Sequence, residues 1–150
     1  MTERYRDFTV LITRINRNIK RIKTEEMSEF NLRSPHVTCL YYLYKTGGST
    51  AKDLGELGQE DKATISRSIE QLEKEGYIVC HSAQKKKYNA MLTLTARGVK
   101  IAERVSEKID KILMVAGGDI PEEKRKIMYE CLTLIDENLE NICKHYEGDK

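Results

Sequence analysis

The distribution of apolar residues along the chain predicts six helices and one pair of strands. The first helix is indicated by apolar side chains at spacings of three and four, which places them on one face. These side chains are Phe8, Leu11, Ile12, Ile15, Ile19 and Ile22. A second helix is predicted to have Ser34 as its N-cap and Pro35 at its first position, and to end at Gly47 and Gly48.

Residues 50–76 predict two short helices joined by a tight turn. Thr50 and Asp53 have the spacing of a capping box at the start of the first, which Gly58 is expected to end. Asp61 is the predicted N-cap of the second, and Gly76 its end. The predicted inner faces hold Ala51, Leu54 and Leu57 in the first helix and Ile65, Ile69 and Leu72 in the second.

The spacing then changes to that of strands. Residues 77–80 are β-branched and aromatic, residues 82–90 are polar, and residues 91–94 are again apolar, which predicts a hairpin with a polar tip. Thr95 is the predicted cap of a fifth helix, and Pro121 opens a sixth after the break at residues 117–118. The predicted fold class is therefore mainly α with a small β-hairpin (α+β).

Composition narrows the class of protein. A chain of 150 residues with 39% hydrophobic residues can bury one core, and a net charge of +2 excludes a strongly basic coating protein. Residues 1–100 carry a net charge of +6 and residues 101–150 a net charge of −4. No apolar run is long enough to cross a bilayer and no secretory signal is visible, so we expect a cytoplasmic protein without a membrane partner.

The four cysteines form no C-x-x-C pair, and their spacing fits neither a zinc site nor a small disulfide scaffold. We therefore expect reduced thiols and neither a cofactor nor a metal ion. The sequence also lacks the catalytic motifs that would indicate an enzyme, and its three histidines are far apart. An enzyme is thus not expected.

A helix pair followed by a hairpin is the element order of a winged helix-turn-helix. The major groove of DNA admits one α-helix, whose N-terminal residues contact the base edges. The second helix of the pair would present small, hydroxylated and cationic side chains there, namely Lys62, Ala63, Thr64, Ser66 and Arg67. Arg67 has the geometry to pair with guanine. The alternative is an ordinary solvent-exposed helix face.

The hairpin tip carries three consecutive lysines, Lys85, Lys86 and Lys87. A basic wing after a helix pair is expected to lie over the phosphates or in the minor groove, where the potential is most negative. The alternative is a lysine-rich loop that only keeps the protein soluble.

Apolar stripes run along the outer helices at residues 8–22, 99–113 and 127–142. They exceed what a compact helix-turn-helix core needs, which favours pairing of two chains. Packing of these helices on one another within one chain is the alternative. We predict one domain over residues 1–150, with a DNA-binding lobe at 35–97 and a helical dimerisation region formed by 1–34 and 98–150.

Residues 49–54, 63–78 and 94–98 together resemble the MarR family of transcriptional regulators, and the resemblance covers nearly the whole chain. It implies a winged helix-turn-helix with terminal dimerisation helices, bound as a homodimer to palindromic double-stranded DNA. It places Ser66 and Arg67 in the major groove. The family's wing usually carries an Asp-x-Arg element, whereas Lys86 and Lys87 fall near those positions and residues 82–90 contain no acid. This departure from the family's pattern predicts a looser wing that relies on charge rather than on a fixed arginine fork.

The resemblance also implies a small phenolic or aromatic effector, bound between the dimerisation helices and the DNA-binding lobe. His36 and three tyrosines, Tyr41, Tyr42 and Tyr44, lie on the helix where such a crevice would be. Core packing explains Tyr41 and Tyr44 as well, and exposure at the surface explains Tyr42. Cys39 is the single candidate for redox sensing. The predicted function is a transcriptional repressor. The alternative is a winged-helix module that binds protein or RNA without sequence-specific DNA binding.

Overall fold

The computed structural model describes residues 2–82 and 87–148. Six α-helices lie in these ranges: α1 Thr2–Glu26, α2 Ser34–Thr46, α3 Ala51–Gly58, α4 Lys62–Lys74, α5 Ala96–Gly117 and α6 Glu122–Gly148. Three short strands accompany them: β1 Ser49–Thr50, β2 Ile78–His81 and β3 Met91–Leu94. Two 3₁₀ segments, Ser28–Phe30 and Lys87–Asn89, precede α2 and β3. The predicted class, mainly α with a small β element, is confirmed.

The helix ends follow from local hydrogen bonds. The Thr50 hydroxyl oxygen accepts the Asp53 backbone N–H at 3.1 Å, and Asp61 Oδ1 accepts the Thr64 N–H at 2.7 Å, so both predicted caps are confirmed. Gly47 ends α2 in the left-handed conformation at a φ of 79°. The predicted end of α3 is one residue early, because Gly58 is still helical and Gln59 adopts the left-handed conformation.

The predicted N-cap of α2 is wrong. Ser34 is the first helical residue, and the N-cap is Arg33. The backbone N–H of Arg33 donates to Nδ1 of His36 at 3.0 Å. An imidazole three residues into the helix therefore satisfies an N–H at its start, in the same way as the acidic residue of a capping box.

The three strands form one antiparallel sheet in the order β1-β3-β2. The hairpin is in the register Ile78 to Leu94 and His81 to Met91, which confirms the predicted strand pair. Ser49 of β1 pairs with Leu92 on the other side of β3. This third strand was not predicted, because two residues are too few to show an alternating pattern.

One apolar core joins the helix pair to the sheet. Leu40, Leu54, Ile65, Leu72 and Leu92 are all fully buried. Leu57, predicted to face inward, is 50% exposed, so the inner face of α3 consists of Ala51, Leu54 and Gly55 instead.

The hairpin joins α5 at a tightly packed corner. The Thr95 hydroxyl donates to the Gly76 carbonyl oxygen at 2.6 Å and accepts the Gly98 N–H at 3.0 Å. A side chain at position 98 would collide with the carbonyl of Tyr77. The Leu-Thr-x-x-Gly pattern of residues 94–98 is thus a physical requirement of this corner.

The described chain divides into two compact units, residues 1–109 and 110–150. The first contains the core. The second contains the end of α5 and all of α6, which has no buried residue among those described. Of the described helices, none combines the length and apolar character needed to cross a membrane.

Candidate nucleic-acid interface

The core fixes which face of α4 is exposed. Ile65, Ile69 and Leu72 are buried, and the Ser68 hydroxyl donates to the Thr64 carbonyl at 2.9 Å on the same side. Because helix positions repeat every 3.6 residues, the first turns present their other residues outward. Lys62, Ala63 and Arg67 are exposed, and Thr64 and Ser66 are half-buried. The structure therefore brings all five predicted recognition residues onto one outward face.

Two polar contacts order this face. Arg67 Nη2 donates to the Thr64 hydroxyl at 3.4 Å, which holds the guanidinium along the helix. Hydrogen bonds from the Thr64 backbone and side chain hold the pKa of Asp61 below its usual range, and the charge of Arg67 acts in the same direction. At neutral pH the cap is a carboxylate, so an acid borders the cationic face at its N-terminal end.

Lys62 also contacts the wing. Its Nζ lies 4.6 Å from the ring centroid of Tyr88, which is the geometry of a cation–π contact. Tyr88 is half-buried and packs against the core, so the start of α4 is joined to the residues that lead into β3. The wing lysines Lys85 and Lys86 lie outside the described residues. The backbone of Lys87 belongs to the second 3₁₀ segment.

The candidate effector residues differ in their surroundings. His36 lines a groove beside α4 together with Arg33, Thr64 and Arg67. Burial and the charge of Arg33 lower the pKa of His36. Tyr41 and Tyr44 are half-buried and pack against the core.

A different cavity, of about 480 Å³, lies between α1, α2 and α3. Ile12, Ile15, Ile19 and Leu57 form its apolar wall, and Tyr42 and Lys23 line it as well. Sequence reasoning missed Lys23, whereas it does place Tyr42 on the helix where the effector crevice is expected. The signal was present for Lys23, because it follows Ile19 by one helical turn and thus continues the apolar stripe of α1.

Lys23 is a partly buried cation in this cavity. Its Nζ donates to the Thr38 hydroxyl at 3.2 Å. Burial lowers the pKa of Lys23, Glu60 opposes this shift, and Lys20 adds to it. A cation held beside an apolar wall suits an amphipathic anion.

Cys39 is fully buried, and burial raises the pKa of its thiol to about 12, with the charge of Glu60 adding to the effect. The thiolate is the reactive form of cysteine, so this environment disfavours oxidation of Cys39. Among the described residues there is no group of three or more His, Cys, Asp or Glu side chains arranged to hold a metal ion.

Comparison with known proteins agrees with this geometry. The family described as "Winged helix DNA-binding domain" matches residues 36–113, which is more than half of the chain. The chain belongs to this winged helix family. This family is a class of DNA-binding proteins without enzymatic activity. The resemblance to MarR-family regulators is confirmed at the level of the fold by the solved structures described below.

Among curated proteins, the HTH-type transcriptional regulator BilQ of Clostridium symbiosum is 30% identical over 95 residues. The match covers 61% of this chain and 63% of BilQ, so the chain spans less than two thirds of that relative.

Two solved structures have the same fold. A MarR family transcriptional regulator from Silicibacter pomeroyi has a TM-score of 0.78 at 23% identity, covering 89% of this chain and 90% of that one. The Staphylococcus aureus MepR–DNA complex has a TM-score of 0.75 at 22% identity, covering 88% and 97%.

Proposed function

We propose that this winged-helix protein is a cytoplasmic transcriptional repressor that binds a palindromic DNA operator as a homodimer. The observation that carries the proposal is the outward face at the start of α4, where small, hydroxylated and cationic side chains lie together. This face has the size and donors that the major groove accepts. Similarity to MepR, whose complex with DNA has been solved, supports DNA as the partner.

Exposed apolar side chains support the homodimer. Ile127, Leu134 and Ile142 of α6 are each at least half exposed, and α6 buries no side chain among the described residues. Long apolar stripes of this kind are typical of surfaces that a partner covers. Two-fold pairing would set two copies of α4 roughly 34–36 Å apart, one turn of DNA.

The cavity between α1, α2 and α3 supports release by a small effector. Its isoleucines and Tyr42 would contact an aromatic ring, and Lys23 would pair with an acidic group on it. We propose a phenolic or aromatic ligand for this cavity. The candidates His36, Tyr41 and Tyr44 do not line this cavity, so they would not contact the ligand directly.

Selection of bound DNA from a random pool tests the proposal. We expect one inverted repeat with half-sites about ten base pairs apart, and steep loss of affinity with salt as counterions are released. Equal binding to every sequence, or binding that is insensitive to salt, would instead favour the protein- or RNA-binding alternative. A parallel selection with salicylate or another phenol tests the effector, since less DNA should be retained.

A further inference from the structure

A polar groove of about 440 Å³ runs between the start of α2 and the recognition face of α4. Arg33 and His36 line one side, and Thr64, Arg67 and Gln71 line the other. Both arginines are exposed, so their charges face solvent rather than the core. None of the described residues that line the groove is acidic.

From this groove we infer that Arg33 and His36 form a second DNA contact, which binds the sugar–phosphate backbone beside the bases that α4 reads. The groove is continuous with the recognition face, because Thr64 and Arg67 belong to both. Cations on both sides and hydrogen-bond donors between them match a phosphodiester, whereas an aromatic ring would find little apolar wall. This inference rests on the proposed function, since it assumes that α4 enters the major groove.

The hydrogen bond at the start of α2 determines what His36 offers to a phosphate. Nδ1 accepts the Arg33 backbone N–H at 3.0 Å, so this nitrogen carries no proton. The neutral ring then has its proton on Nε2, which is a donor. His36 can thus donate to a phosphate oxygen as a neutral group, and Arg33 supplies the charge.

Phosphate contacts and base contacts leave different signatures. Each phosphate neutralised by a cation changes the slope of log affinity against log salt concentration by about 0.9. A phosphate contact carries no direct information about the base sequence. Loss of the Arg33 charge should therefore weaken binding to all sequences alike.

The test measures salt slope and base preference on the selected operator for the full chain and its Arg33→Gln variant. We expect a slope smaller by about 0.9 for each arginine lost, and an unchanged ranking of operator variants. Arg33→Lys should keep the slope, because it keeps the charge. Lys124→Gln, which removes an exposed cation from α6, should leave the slope unchanged. Thermal melting of each variant verifies that it is folded.

The outcomes separate this inference from the proposed function. A wild-type protein that selects no operator contradicts the proposed function itself. A wild-type protein that binds its operator, with an unchanged salt slope in Arg33→Gln, overturns the second contact alone. Calorimetric titration with inorganic phosphate tests whether the groove binds a small free anion instead of the DNA backbone. Saturable phosphate binding lost in Arg33→Gln, with no change in DNA binding, would make the groove a small-anion site and overturn the DNA contact.

Discussion

Thr95 and Gly98 show how single residues hold together the corner between α4, β2 and α5. The Thr95 hydroxyl joins the end of α4 to the start of α5, because it bonds both the Gly76 carbonyl and the Gly98 N–H. Gly98 lets the backbone of α5 approach the Tyr77 carbonyl more closely than any side chain would allow. These contacts fix the position of β2 relative to α4.

Gly98→Ala is therefore expected to destabilise the fold. The added Cβ must displace backbone at Tyr77, and overpacking of this kind typically costs about 1–3 kcal/mol. Gly117→Ala, in the same helix, is the matched control, because its Cβ would meet only Arg125 Cδ at 3.9 Å. Urea unfolding of both variants measures the difference. Equal stability of the two variants would contradict the role assigned to this corner.

At the scale of elements, the recognition helix is fixed on two sides. Its buried face packs on the core, and its first residue contacts the wing through the ring of Tyr88. Lysine at a helix N-terminus is unfavourable with respect to the helix dipole, so the Tyr88 ring offsets part of that cost. We infer that Lys62 positions the residues leading into β3 as well as adding a positive charge to the exposed face of α4.

A double-mutant cycle tests the contact between Lys62 and Tyr88. Lys62→Gln, Tyr88→Leu and the double variant should show a coupling of about 0.5–1 kcal/mol in their free energies of unfolding, the range of an exposed cation–π pair. Tyr88→Phe keeps the aromatic face and should keep the coupling. Additive effects of the two substitutions would show that the contact contributes nothing.

The sequence predicted elements with strong periodicity and missed contacts that depend on the fold. Ile65, Ile69 and Leu72 repeat at helical spacing, so the exposed face of α4 followed directly from their burial. His36 lies at N3 of α2, yet imidazole is not a usual capping residue, and its position beside α4 depends on packing between distant segments. Strand β1 depends in the same way on pairing with β3.

At the scale of the whole molecule, apolar surface is concentrated on the long helices. Residues along α1 and α6 that the sequence predicts as apolar stripes remain about half exposed in the single chain. Covering this much exposed apolar surface with a second chain removes it from water, which stabilises the assembly. These exposed apolar side chains are thus a surface that the second chain of the proposed homodimer would cover.

Substitution on α6 tests the homodimer. Leu134 is 62% exposed, and Leu134→Lys should weaken pairing by about 1.5–3 kcal/mol per copy if the partner covers this side chain. Thr133→Lys adds the same single charge at an exposed position on another face of α6 and is the control for charge alone. Sedimentation velocity measures the change. A monomeric wild-type protein at micromolar concentration would contradict the homodimer.

Substitution of Arg67 decides whether the start of α4 reads bases. Affinities of the wild-type protein and of Arg67→Ala are measured for the selected operator and for operators changed at each position, at one salt concentration. We expect a loss of about 1–3 kcal/mol on the operator and relaxed preference at one position in each half-site. Full affinity with unchanged preference at every position would contradict it.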